Sequence, residues 1–371
     1  MINKDVAIVG CGPAGLTAAI KMAELGLSVL LIDANETAGG QLFKQIHKFF
    51  GSKTHDAGIR GIDIGKKLIA RCIELKVETW LSSVVLGIDK DLVITVERQT
   101  SFDKSTFEYV KAKKILIATG ASEKAVYFKG WTLPGVMGAG AIQTMINVHR
   151  VLPGKRFLMV GSGNVGLIVS YQLLQAGAEV VGIVEGLPCI NGYAVHASKI
   201  ARAGVPILTS HTVKEVLGTD RVERVTIVAV DKSWNQLPGT EKTIEVDSVG
   251  IATGMRPLES LAEMSGCKSI FNPASGGWVP IHNKNMETSR SGVYIAGDVS
   301  GIEEASVAME EGRLAGIAIA ESLGYILQED AKEEKQESWW RLDALRSGHN
   351  GDIRKFAKQA QILAMEELGK D

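Results

Sequence analysis

The sequence predicts an α/β fold of two parallel-sheet units, the second inserted in the first. Three observations predict it. A strand, glycine-rich turn, helix, second strand and terminal acid open the chain, and the same unit recurs 151 residues later. Short apolar strands ending in Ala-Thr-Gly or Gly-Asp then mark where each half closes. Strands alternating with helices argue for a parallel sheet, because parallel neighbours need a crossover connection.

In the first unit, Val6 to Val9 is a short apolar run fit for a strand buried on both faces. Gly10-Cys-Gly12-Pro13-Ala14-Gly15 follows, then a helix from Leu16 to about Leu25, stopped by Gly26. Ser28 to Ile32 is a second strand ending at Asp33, 18 residues beyond Gly15. In that context the G-x-G-x-x-G pattern has a mechanism. The glycines permit a tight turn and close approach of backbone to a pyrophosphate, and the helix N-terminus faces the phosphate charge. Asp33 can accept hydrogen bonds from a ribose diol. The alternative is a glycine-rich βα turn with no ligand.

The repeat weakens that alternative. Phe157 to Val160 leads into Gly161-Ser-Gly163-Asn164-Val165-Gly166, a helix from about Leu167 to Ala176, a stop at Gly177, and a strand from Val180 to Val184 entering Glu185. The whole βαβ unit is repeated, with one extra residue before the acid. Two nucleotide sites in one chain are expected.

Ile115 to Gly120 and Val249 to Gly254 are the paired Ala-Thr-Gly strands, each ending where the chain would pass to a neighbouring domain. Val293 to Ala296 leads into Gly297-Asp298, placing an acid at a strand's carboxyl end. An Ala- and Gly-rich helix from Ala305 to about Leu323 can pack closely, and its N-terminus beside Asp298 could face the polar edge of a flavin.

Composition bounds the function. Lys plus Arg is 41 against 42 Asp plus Glu, which gives no support for a general nucleic-acid binder or a binder of anionic membranes. An apolar fraction of 45% excludes wholesale disorder. No stretch reads as a membrane span or signal peptide, so the cytoplasm is the default expectation. The cysteines, Cys11, Cys72, Cys189 and Cys267, form no C-x-x-C, so the usual redox-dithiol and zinc signatures are absent, and no metal site is expected.

Together these motifs resemble the flavoproteins with two dinucleotide-binding domains, over roughly residues 1 to 328. The resemblance implies two Rossmann-like FAD/NAD(P)-binding domains: an FAD domain of residues 1–124 plus 252–328, a nucleotide domain of 125–251 inserted in it, and a helical tail, 329–371. It implies FAD held by Gly10, Gly12, Pro13, Ala14, Gly15 and Asp33, with Gly40 and Gln41 as the Gly-Gly-Gln loop beside the flavin. Val84 matches a backbone contact to adenine, Thr119 and Gly120 contact FAD where the domain closes, and Asp298 with Ala305 meets the ribityl chain and flavin. Gly161, Gly163, Asn164, Val165, Gly166, Glu185 and Gly254 would hold NAD(H) or another adenine nucleotide.

A narrower likeness rests on Gly297 to Ile302 followed by Glu310-Glu-Gly-Arg-Leu-Ala-Gly316. These segments look like the amine-oxidising branch: the alpha subunit of sarcosine oxidase, the opine, proline and hydroxyproline dehydrogenase subunits, and the hydrogen cyanide synthase flavoprotein subunit. The branch implies an electron-transferring subunit in a hetero-oligomer with a glycine-oxidase-like flavoprotein. Many members also carry a C-terminal cysteine cluster for a [2Fe–2S] centre. No cysteine follows Cys267, so such a relay would sit on a separate protein. A stand-alone NADH-dependent flavin reductase and a non-catalytic nucleotide-binding subunit remain the alternatives.

No side chain stands out as catalytic, since a flavin carries the redox chemistry itself. His47 could reach the flavin or a substrate, and Arg60 could hold a carboxylate, but a satisfied loop histidine and a surface arginine are the commoner arrangements. Glu303-Glu304 reads as a flavin-facing pair or as acids at a helix start. In the tail, Trp339-Trp340 would dock a partner or pack back on the chain. A helix from about Asp352 to Leu368 places Ile353, Phe356, Ala360 and Leu363 on one face.

Overall fold

The computed structural model describes residues 1–49 and 51–369, so the last two tail residues, Lys370 and Asp371, lie outside the described residues. The chain forms two compact units, Met1–Ser122 with Arg256 onward, and Glu123–Met255.

In the first unit β1 (Ile2–Val9), α1 (Pro13–Glu24) and β2 (Val29–Ile32) make the opening crossover, with β1 and β2 parallel. Helix α1 begins at Pro13 because a proline presets the first-turn φ and lacks an N–H that would find no partner there. Helix α2 (Gly61–Glu74) crosses to β3 (Glu78–Trp80), and β4 (Ser83–Ile88), β5 (Val93–Ser101) and β6 (Lys104–Ile117) follow as antiparallel neighbours. The long β6 pairs antiparallel with β5, and its end runs parallel to β1. The short β7 (Ala121–Glu123) ends the segment.

The second unit is continuous: β8 (Val136–Gly138), α3 (Ala139–Asn147), β9 (Arg156–Val160), α4 (Asn164–Gln175), β10 (Glu179–Glu185), α5 (Ala194–Arg202), β11 (Ile207–Thr209), β12 (His211–Leu217), β13 (Arg224–Ala229), β14 (Lys242–Glu245) and β15 (Ser248–Ile251). Its parallel sheet has the order β11-β10-β9-β15-β8, and β12-β13-β14 form a separate antiparallel sheet. Alternation along β9 sends Phe157 and Met159 to the helical side with Ile142 and Leu173. Leu158 and Val160 face the meander, with Val213, Val225 and Ile227. A sheet covered on both faces explains why its strands read as unbroken apolar runs.

On its return the chain forms β16 (Met255–Pro257), α6 (Ser260–Met264), the hairpin of β17 (Ser269–Asn272) and β18 (Gly277–Pro280), and β19 (Val293–Ile295), which pairs parallel with the end of β6. Helix α7 (Ala305–Ser322) packs along α1. A Cβ at Gly312 would lie 2.1 Å from the Ala14 carbonyl oxygen, so glycine is what lets these helices close.

The tail forms two helices, α8 (Gln328–Leu345) and α9 (His349–Leu368). The tryptophan pair divides between the two expected roles, and the expected apolar face forms. Trp339 packs against the first unit's core and donates its indole N–H to the Lys284 carbonyl at 3.1 Å, which leaves Trp340 alone outward, 70% exposed. The apolar face of Ile353, Phe356, Ala360 and Leu363 exists but is exposed. The face turned inward carries Ala357, Lys358, Gln361 and Ile362.

Candidate functional site

The two glycine loops obey one geometry. Gly10 has φ +111°, and a Cβ there would lie 2.2 Å from the Ala118 carbonyl oxygen, while one on Gly15 would lie 1.9 Å from that of Gly10. Gly161 and Gly166 repeat this, at 2.3 Å from the Ala252 oxygen and 2.2 Å from the Gly161 oxygen. These four glycines are therefore required by the fold. The middle glycines differ: a Cβ on Gly12 or Gly163 would meet nothing within 4 Å. Open space lies above them, beside helix N-termini that no side chain caps. The unpaired first-turn N–H groups and the helix dipole make such a place fit for an anion.

Each acid braces its own loop. Asp33 is buried; Oδ2 accepts the Cys11 N–H at 2.6 Å, and Oδ1 accepts the backbone and side-chain N–H groups of Asn35, both at 2.8 Å. Glu185 is buried too, accepting the Ser162 N–H at 2.9 Å, the Ser162 hydroxyl at 2.7 Å and the Leu187 N–H at 3.0 Å. The chain then folds back identically: the Gly39 N–H donates to the Cys11 carbonyl at 2.7 Å, and the Gly192 N–H to that of Ser162 at 2.8 Å.

Around the first loop the structure gathers most residues the sequence singled out. A Cβ on Gly40 would sit 2.8 Å from the Gly12 Cα, so Gly40 packs directly against the loop, with Gln41 exposed beside it. Val84 follows Ser83, whose N–H donates to the Asp33 carbonyl at 2.9 Å. Thr119 donates its hydroxyl to the Leu258 carbonyl at 2.8 Å, and the Leu258 N–H returns to Gly120 at 2.9 Å. A Cβ on Gly297 would lie 3.0 Å from the Ala14 Cβ, which puts Asp298 next to the start of α1, and Ala305 begins α7. Around the second loop, Asn164 accepts the Tyr193 N–H at 2.8 Å, Val165 is partly exposed, and Gly254 has φ +111°.

His47 stacks on Phe49 with ring centroids 5.8 Å apart, and Arg60 is exposed immediately before α2.

What sequence reasoning missed is a buried ionic network behind Asp298. Arg346, from the tail, donates to both carboxylate oxygens of Glu303 at 2.7–3.1 Å and to Glu311 at 2.6 Å. Lys358 reaches Glu311 at 2.9 Å and the Ser300 carbonyl at 2.7 Å. Burial alone would raise the Glu311 carboxyl, but Lys358 and Arg346 outweigh it and hold it below the ordinary range. Glu303 thus answers to Arg346, and Glu304 pairs with Arg354 at 3.1 Å. Asp298 sits beside this network without a cation to itself among the described residues. Burial first, then the charges of Glu311 and Glu303, push its carboxyl up to about 7. His282, buried and facing Lys358, is pushed down to about 4. The only visible signal was two adjacent acids inside a helix of small apolar residues.

Residues 4–312 match the pyridine nucleotide-disulphide oxidoreductase family. An opine oxidase subunit of Rhizobium meliloti strain 1021 is 29% identical over 88% of this chain and 72% of its own length. The hydrogen cyanide synthase subunit HcnB of Pseudomonas aeruginosa is 25% identical over 99% of this chain and 82% of its own. Among solved structures, L-proline dehydrogenase from P. horikoshii superposes with a TM-score of 0.67 at 25% identity, covering 91% of this chain and 59% of that one.

Proposed function

The chain belongs to the pyridine nucleotide-disulphide oxidoreductase family, and on that premise we propose that it is the electron-transferring flavoprotein subunit of a heteromeric amine or amino-acid dehydrogenase. That it is an FAD/NAD(P)-type oxidoreductase follows from the family. The finer reading is supported by relatives that are themselves subunits, of opine oxidase and hydrogen cyanide synthase.

The first loop fits FAD, because the open cradle over Gly12, the uncapped start of α1 and the braced Asp33 suit a pyrophosphate and its ribose. Gly10, Gly12, Pro13, Ala14, Gly15 and Asp33 would hold the ADP half. Gly40, Gln41, Asp298 and Ala305 would lie along the rest, with Val84, Thr119 and Gly120 at its margins. Bound FAD supplies hydride and single-electron transfer. The chain's part is to orient it and exclude water. In the second unit Glu185 would take a ribose diol and repel a 2′-phosphate, and Gly186, Leu187 and Pro188 offer no arginine to neutralise one, so NAD(H) or another adenine nucleotide without a 2′-phosphate is favoured.

The observation that carries the reading is that the thiols are unsuited to a dithiol relay. Cys11, Cys72 and Cys267 are buried, the exposed Cys189 forms no disulfide, and burial pushes Cys72 up to about 12 and Cys11 higher still. A thiol held protonated is a poor nucleophile, so the electrons go elsewhere. The partner would be a glycine-oxidase-like flavoprotein, docking where Trp340, Ile353, Phe356 and Leu363 leave apolar surface on the tail. Purified chain reconstituted with FAD should not turn over sarcosine or proline alone. It should be reduced at 450 nm by those amines once mixed with a glycine-oxidase-like flavoprotein from the same source. Fast amine turnover by the isolated chain would overturn the division of labour. Fast steady-state NADH oxidation without the partner would favour the stand-alone reductase, a reading supported by the second glycine loop.

A further inference from the structure

Gly186 follows Glu185 directly, at the place where residues of a nucleotide-binding βαβ unit flank the adenosine. A Cβ there would lie 2.1 and 2.2 Å from Cζ3 and Cη2 of Trp234, so the indole occupies the space a side chain at position 186 would need. Burial does not explain that placement, because Trp234 is 57% exposed. Its φ is +64°, a conformation that a bulky residue keeps only when its surroundings impose it.

The surroundings do impose it. The Asp231 carboxylate accepts the backbone N–H groups of Ser233 and Asn235 at 2.8 and 2.9 Å and the Asn235 side-chain amide at 3.0 Å. The Trp234 N–H donates to the Asp231 carbonyl at 3.0 Å. One residue ties this turn to the loop beyond the acid: the Ser210 N–H donates to the Leu187 carbonyl at 2.9 Å, and the Ser210 carbonyl accepts the Val230 N–H at 2.8 Å. A half-open aromatic ring is thus pinned, at the cost of backbone strain, beside the carboxylate suited to a ribose.

We propose that Trp234 is the adenine platform of the second site, its open surface stacking on the base while Glu185 takes the ribose. This rests on the reading of the second unit as nucleotide-binding. The ring also fills the spot where an arginine would hold a 2′-phosphate, so one residue supports both base binding and selection against phosphorylated ribose.

The test is calorimetric titration of the FAD-loaded full chain with ADP, using wild type, Trp234→Ala, Trp234→Phe and Glu185→Gln, with flavin absorbance as the control for folding. Trp234→Ala should weaken ADP roughly five- to a hundredfold, the range found for removing a base-stacking aromatic, and Trp234→Phe should restore most of that loss. ADP should quench tryptophan emission in wild type and fail to do so in Trp234→Phe, a signature that a merely structural role would not give. Unchanged affinity in Trp234→Ala, with Glu185→Gln weakened, would overturn the platform and leave the site standing. Failure of wild type to bind ADP would overturn both.

Discussion

Replacing Asp298 by Asn should change the pH dependence of folding in a calculable way. The native carboxyl is held at about 7 against an ordinary 3.8, so the folded protein keeps a proton that the unfolded chain has released. A group raised in the folded state contributes its full stability below about pH 4 and loses it as pH rises through about 7. At 1.36 kcal/mol per unit the gap is worth up to about 4 kcal/mol, and relaxation or water entry would bring it nearer 2. The amide keeps the shape and stays neutral at every pH. Apoprotein carrying Asp298→Asn should therefore exceed wild type by at most about 1 kcal/mol near pH 4.5 and by about 2–4 kcal/mol at pH 8.5 in urea denaturation. His282, held neutral with its value lowered to about 4, gives the opposite slope, present above pH 6.5 and lost as pH falls through about 4. The difference between variant and wild type cancels that slope and isolates Asp298. A difference that stays constant from pH 5 to 8.5 would refute the reasoning. A confirmed one would mean that the fold tolerates a costly half-buried acid, the mark of a residue kept for its ligand.

Two other substitutions separate ligand from fold and tail from core. Gly12→Val should leave the apoprotein's unfolding free energy in urea within about 0.5 kcal/mol of wild type, because the space there is open, yet abolish FAD binding in a flavin-fluorescence titration; retained binding would place the cofactor elsewhere. Arg346→Met should cost about 3–5 kcal/mol, since it strands Glu303 as a buried unpaired charge and leaves Glu311 with Lys358 as its one cation among the described residues, and a loss below 1 kcal/mol in urea denaturation would show that the network is not under that strain.

The βαβ units, their acids and the closing strands were legible because each follows from local rules: glycine where backbone meets backbone, apolar runs where a sheet is covered twice. Gln45 to Arg60 was legible only as candidates, since nothing in sequence places a loop residue against a ligand. Within the expected helical tail α8 could not be delimited, because the residues it buries include Ala331, Ser338 and Leu342, too small and polar to print an apolar stripe on a charged segment. The orientation of α9 was hidden for a related reason. Its inner face must deliver Lys358 and Gln361 to Ser300, 58 and 61 residues away, and that requirement turns Phe356 and Leu363 outward. Pairings at such separations leave no periodicity to detect.

The first unit is split in sequence, and that sets an order of events during synthesis. Strand β19 and helix α7, which complete the first sheet and cover α1, are made about 270–300 residues after α1. At 5–20 residues per second on the ribosome, the opening segment waits on the order of 15–60 s with its helix uncovered, while the continuous 123–255 unit can already close. The nucleotide cradle at the very start of the chain is therefore among the last parts finished. Arrest of translation before residue 322 should yield a folded second unit joined to an unfinished, protease-sensitive beginning.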